Sequence, residues 1–428
     1  MGKLTEETST AGTFSGGVVA TVPRSAKWLV AMIALQSLGS GLTQPFVMIY
    51  LHEVRGIDLA LAGMLLTVSG VVGLVVSLPS GRWIDRYGGW NVLVLGTCSM
   101  CASALVLVVA VNPLLAAAAL ALSGFNLGVS LPAKNVLIAQ ATSGTVRKQL
   151  FAANFVLLNL SWGVGGLVGG FVLDVERPST FIVILLSDAV MMFIALTLLL
   201  GPLRTLRSAR PTVSRLHTSE RVSIGSVLRD PNLMRLMLIT VLVTFIGYGQ
   251  LQSGIPVFAR EVSGVSLRTI GVAFAINTAM IVLLQFVVLR ALDGRRRTRA
   301  MIGFGAVWAI AWSFFATTSM SPGSLFAIFG LLIFISLFAL GEMILMPLLP
   351  VITNDLATDR NRGRYNALQS AAFHAGGLLG PAFAGVTLQG GSSMVYVGAM
   401  ILTSVLIIFV ACSWERTIDP VMNGGRVH

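Results

Sequence analysis

The chain repeats itself. Residues 132–142 (PAKNVLIAQAT) and 347–358 (PLLPVITNDLAT) lie about 215 positions apart, and each is followed by an arginine, Arg147 in the first case and Arg362 in the second. Beyond each arginine comes a run of small residues: Gly165, Gly166, Gly169 and Gly170 in the first copy, Gly376, Gly380, Pro381 and Gly385 in the second. The same signals recur in the same order, which predicts two structurally related lobes rather than one continuous core.

Composition selects the solvent for those lobes. Of the 428 residues, 55% are hydrophobic and only 11% charged, so a water-soluble fold would have no means of covering its apolar surface. The expectation is an all-α polytopic membrane protein. Windows of span length predict twelve helices, six between 26 and 202 and six between 233 and 414, each able to cross ~30 Å of hydrocarbon at 1.5 Å per residue. Residues 1–25 then form a polar N-terminal segment, 203–232 a basic linker with a surface helix around 222–230, and 415–428 a tail. The N-terminal segment has Glu6 and Glu7 and no basic stretch leading into a short apolar core, so no cleaved signal is expected.

Charge fixes the expected orientation. All of the 29 Lys and Arg except Arg55, Lys134, Arg177, Arg260 and Arg268 fall on the side that would hold both termini. The positive-inside rule makes that side cytoplasmic. The net charge of +12 has the same origin, and it points to anionic lipid headgroups rather than nucleic acid as partner. Cys98 and Cys101 fall inside the third predicted span and Cys412 in the last, where small packing residues are expected and disulfides are not. Four scattered histidines supply no metal set, and no cofactor is expected.

The turn after the second span reads Gly81-Arg82-Trp83-Ile84-Asp85-Arg86-Tyr87-Gly88-Gly89. It resembles the signature loop of the major facilitator superfamily, G-x-x-x-D-R-x-G-R, at Gly81, Asp85, Arg86 and Gly88, with Gly89 in place of the final basic residue. The matching turn of the second half keeps Asp293 and a basic cluster but not the first glycine. A carboxylate in such a turn can cap the positive end of a helix from the opposite lobe, a contact worth ~0.3–1 kcal/mol when exposed and up to ~2 when partly buried. Asp85 is therefore expected to face the start of the eleventh span near Arg364, and Asp293 the start of the fifth near Arg147, as a latch that breaks when the lobes rock.

The glycines of the fifth span allow close helix approach and bending. They are similar to the drug–proton antiporter signature of the same superfamily, G-x-x-x-G-P-x-x-G-G, although Ser161 replaces its leading glycine and Gly166 its proline. The eleventh span has the closer copy. This resemblance implies export by antiport, without a cofactor, by a monomer. In this superfamily the first, fourth, seventh and tenth spans line a central cavity. That makes Gln36, Gln44, Asn126, Tyr248, Gln250, Gln252 and Glu342 candidate substrate contacts, and interhelical hydrogen bonds are the competing role for the glutamines.

Lys134, Asp188 and Glu342 are the charged residues well inside predicted spans. Each costs ~2.5–3.5 kcal/mol to place at the bilayer centre, which makes each a functional candidate. Glu342 is the leading candidate for proton coupling and Asp188 the second; Lys134 lies near a span end, where snorkelling would explain it. Many proton-coupled drug exporters of the superfamily carry an arginine in the fourth span, and residues 113–133 have none. Coupling would then fall to Glu342 or Asp188, or be absent. The expected activity is export of lipophilic drugs or amphipathic metabolites against protons. A nutrient symporter or facilitator and a lysolipid flippase stay open as alternatives. No phosphate-binding loop or catalytic constellation suggests an enzyme.

Overall fold

The computed structural model describes residues 23–142, 144–207, 227–358, 361–420 and 422–424. The surface helix expected around 222–230 falls mainly outside the described residues, as does nearly all of the N-terminal segment. The first half contains α1 (Arg24–Thr43), α2 (Leu59–Tyr87), α3 (Gly89–Val108), α4 (Pro113–Ala141), α5 (Gly144–Val172) and α6 (Pro178–Leu200). The second contains α7 (Pro231–Ile246), α8 (Leu267–Leu292), α9 (Arg297–Thr317), α10 (Leu325–Leu345), α11 (Arg362–Gln389) and α12 (Ser393–Glu415). Among the described residues ten helices are long and apolar enough to cross a membrane, against the twelve expected. The two outside that count are α1, whose regular helix stops at Thr43, and α5, which has Val156–Val172 as its described apolar stretch.

Helix starts follow local chemistry. Asn112 accepts from the Leu115 amide ahead of Pro113, and Ser266 and Ser324 accept from Thr269 and Ala327, each supplying a partner for an amide that the first turn leaves free. Large apolar side chains face outward, Phe286 and Phe409 at 70% exposure each, because lipid and not water surrounds the bundle. The chain is thus an all-helical, multi-pass membrane protein. Its second half is stiffened by an aromatic stack between α9 and α10, in which Trp308 lies 4.3 Å from Phe338 and Phe315 lies 4.3 Å from Phe334.

Three helices are broken where the sequence removes a backbone donor or a side chain. Pro45 ends the regular part of α1, which continues through a tight turn (Gln44–Phe46), a short helix (Val47–Ile49) and a wide π-helical turn (Tyr50–Val54). α7 breaks at Gly247 and again at Ser253, and it too finishes in a π-helical turn, Phe258–Val262. α10 breaks at Met346-Pro347 and resumes as Leu348–Leu356. The breaks in α1 and α7 occupy corresponding positions in the two halves, and they bring the two π-helical turns together at one end of the molecule, called here the Glu53 end. The opposite end carries the α2–α3 and α8–α9 turns and is called the Asp85 end.

Candidate functional site

A cavity of about 230 Å³ opens between the helices, lined by Gln36, Ser37, Ser40 and Gln44 of the first segment, Asn126 and Lys134 of α4, Trp162 of α5 and Gln252 of α7. Four of the expected contacts, Gln36, Gln44, Asn126 and Gln252, are therefore brought together. Gln36 is buried; its amide donates to Thr97 Oγ1 at 2.9 Å, while its Oε1 has no partner among the described residues. Asn126 accepts from the Ser130 hydroxyl. Lys134 joins this lining rather than reaching past the helix end, and no hydrogen-bond or ion-pair partner faces its ammonium among the described residues.

The other expected contacts lie elsewhere. Gln250 is fully buried and occupied: its amide donates to the Phe245 and Gly380 carbonyls at 2.9 and 3.4 Å, and its Oε1 accepts from Tyr396 Oη at 2.9 Å. It ties α7 to α11 and α12 and lies outside the cavity lining. Tyr248 packs on Phe373 with ring centres 5.3 Å apart. Glu342 is buried between α10 and α8, where Asn277 Nδ2 donates to its Oε2 at 2.9 Å, and it too stands outside the lining.

Asp188 on α6 is 1% exposed and points at α1. Thr43 donates to its Oδ2 at 3.1 Å, and its Oδ1 has no partner among the described residues. The carboxylate fits because position 39 is glycine; a methyl group there would overlap Oδ1. A buried acid with one unsatisfied oxygen is costly to keep ionised and is retained only for a reason beyond packing.

The glycine-rich runs are seams. In α5, Gly165 and Gly169 meet α1, and Gly163, Gly166 and Gly170 meet α8 of the other half; a side chain at Gly170 would stand 2.6 Å from the Leu267 carbonyl. In α11, Gly376 and Gly380 meet α7, while Gly385 meets Gly63 of α2 across the halves, and the Pro381 carbonyl approaches the same Gly63. Apart from Gly166, where the nearest atom stands 3.2 Å away, these approaches fall under 3 Å, closer than a real Cβ comes to other atoms.

The two ends differ. At the Glu53 end the halves are cross-linked: Arg260 donates from Nε and Nη2 to the two oxygens of Glu53 at 3.2 and 3.4 Å, and His52 Nε2 lies 3.3 Å from Glu261 Oε1. The Ala60 amide also donates to Gln389 across the halves at 2.7 Å. At the Asp85 end the ion pairs among the described residues lie within the second half, Arg296 and Arg299 on Glu415 and Arg297 on Asp355. The carboxylates of Asp85 and Asp293 are exposed, with no partner among the described residues. Among the described residues Asp85 has no contact with Arg364; the side chains at the start of α5, Arg147 included, and those of residues 362–363 lie outside the described residues, so the expected contact of Asp293 falls outside them. Gly81 faces open space, Arg86 stacks on Tyr87, and Gly88 and Gly294 adopt φ of +85° and +70° to make the two turns. The four residues at the Glu53 end were not singled out from sequence. The signal was a basic-acidic pair, His52-Glu53 and Arg260-Glu261, at corresponding points of the two halves.

Comparison with known proteins agrees with this architecture. The chain is 26% identical over 372 residues to YttB, an uncharacterised MFS-type transporter of Bacillus subtilis (strain 168), covering 86% of this chain and 89% of that one. It is 26% identical to a Na(+), Li(+), K(+)/H(+) antiporter of Planococcus maritimus, covering 79% and 83%, and 23% identical to the multidrug resistance protein MdtH of Yersinia enterocolitica, covering 80% and 81%. Among solved structures, a POT family transporter in complex with 5-aminolevulinic acid superposes with a TM-score of 0.77 over 94% of this chain and 97% of that one, at 12% identity. Residues 29–340 match the profile of the Major Facilitator Superfamily, and the chain belongs to that family.

Proposed function

We propose that this protein exports lipophilic or amphipathic compounds from the cytoplasm in exchange for protons, by alternating access between two lobes, 26–202 and 233–414, with both termini cytoplasmic. The observation that carries this reading is a cavity of the first half that Gln252 of the second half joins, with the halves held together at the Glu53 end by glycine seams and ion pairs while Asp85 and Asp293 have no partner among the described residues. Under the orientation that the basic residues imply, this is the state that loads cargo from inside. Met100, Leu127, Leu158, Trp162 and Met192 give apolar contact in a lining that is otherwise polar, and Gln36, Gln44, Asn126 and Gln252 orient the cargo. The charge in that lining is the positive one of Lys134, which favours cargo bearing an acidic or carbonyl group over a cationic one.

Glu342 and Asp188 are the acids placed to carry protons in this reading, one buried in each half. The antiporter and multidrug names among the relatives support exchange and export, and they belong to those proteins. The test is uptake into everted vesicles with an acid interior, using a panel of lipophilic acids, cations and a fluorescent lysolipid. Gradient-driven uptake of several unrelated compounds is expected, and Glu342→Gln should reduce it to the level of protein-free vesicles while cargo binding persists. Movement of lysolipid alone, or of nothing on the panel, would replace export with a flippase or a nutrient carrier.

A further inference from the structure

The contact between His52 and Glu261 is short of a proton. His52 Nδ1 lies 2.8 Å from the Ile57 carbonyl oxygen, which can only accept, so Nδ1 carries a hydrogen. In the neutral ring Nε2 is then an acceptor, and it faces a carboxylate oxygen, also an acceptor when ionised, at 3.3 Å. The contact is attractive only if one further proton sits on it, either on Nε2 as imidazolium or on Glu261 as a carboxylic acid that donates to Nε2. The neighbouring pair differs, since Arg260 brings its own donors to Glu53.

We propose that His52 and Glu261 form a proton-binding site shared between the two halves, which takes up one proton from the aqueous phase when the Glu53 end closes and releases it when that end opens. The two side chains come from different halves, so the site exists only in the closed arrangement. Both remain partly accessible, at 32% and 28% of their side-chain surface, which leaves a path for the proton to and from water. Closure at this end and proton binding are therefore the same event, and by linkage acid on that face favours closure. This deepens the exchange reading above, because it names where a proton couples to the conformation, yet it does not depend on which cargo is carried.

The electrostatics of the patch agree in sign. Burial at the closed contact pushes the Glu261 carboxyl above its ordinary range, Glu53 adds to that, and His52 and Arg260 oppose it without cancelling it. The nearby charges have other partners: Arg55 is held by Tyr50 Oη and the Val108 carbonyl, and Arg177 by Asp174. A carboxyl whose affinity for protons is higher closed than open binds a proton on closing, so the closed fraction rises as pH falls.

Electron–electron distance measurements between spin labels test this. The labels go at Val111→Cys and Met320→Cys, exposed positions of the two halves at this end, with Cys98, Cys101 and Cys412 replaced by serine in the full-length protein. Between pH 9 and pH 5 the closed-to-open ratio should rise by up to about tenfold per pH unit where one proton is exchanged. Glu261→Gln places a permanent donor opposite Nε2, so it should hold the end closed and remove the contribution of this site to the slope. Glu53→Gln should favour opening at every pH and, by removing the charge that raises Glu261, move the rise in closure to lower pH without abolishing it. An unchanged slope in Glu261→Gln, or closure favoured by alkali, would overturn the proposal. If the slope behaves as expected but vesicles show no gradient-driven transport, the proton site stands and the exchange reading falls.

Discussion

Gly39 and Asp188 form a unit at the scale of single residues. The acid was legible in the sequence as a charge inside a span, but the glycine that admits it was not, because nothing local links position 39 to position 188. Gly39→Ala forces the carboxylate to move in a packed interior, where overpacking costs about 1–3 kcal/mol. The expected result is a lower melting temperature in detergent. Gly303→Ala in α9, which meets open space, serves as control and should melt unchanged or slightly higher. Equal melting of the two variants would mean that the α1–α6 contact yields without cost. Gln250 and Gln252 teach a related point. They read alike in sequence, yet one is locked between helices and the other lines the cavity, because α7 breaks on both sides of them and its helical phase cannot be carried through.

Among the elements, α5 and α11 each serve two neighbours. Their glycines were readable as a recurring motif, since small residues at helical spacing are a local pattern. Which glycine meets which helix was not, because partners in the other half are far away in sequence. Gly385 lies on the seam between α11 and α2, so Gly385→Leu should hold the Glu53 end apart. In the labelled protein this appears as loss of the short-distance population at every pH, with the protein still folded by circular dichroism. A normal closed population would show that the seam does not control this end. α1 and α7 show the complementary effect. Beyond Pro45 and beyond the breaks at Gly247 and Ser253, the two segments share one apolar cluster, and their polar ends meet as well.

Taken as a whole, the halves are joined by ion pairs at the Glu53 end, while the ion pairs described at the Asp85 end lie within the second half. Gly81 lies at the Asp85 end, and among the described residues nothing outside its own helix comes within 4 Å of where its side chain would be, so nothing described in this conformation requires glycine there. Its place in the signature turn makes sense if α2 meets the other half when the Asp85 end closes. Gly81→Leu should then leave folding and cargo binding intact and slow transport, with the labelled Glu53 end trapped closed. Normal transport by this variant would remove Gly81 from the closing surface.

Several properties were already present in the amino-acid order: the membrane setting, the helical class, the duplicated halves, the tight turns and the family likeness. They depend on composition and on patterns within one or two helical turns, which do not change when the chain folds. Tertiary structure alone decided which side chains meet. It set Lys134 into a cavity instead of at a helix end, took Gln250 and Glu342 out of the lining, left Asp85 and Asp293 without a partner among the described residues, and brought His52 and Glu53 to Glu261 and Arg260. Those outcomes rest on where helix breaks rotate each segment and on which end of the molecule is shut, and both are properties of the packed halves rather than of any stretch of sequence.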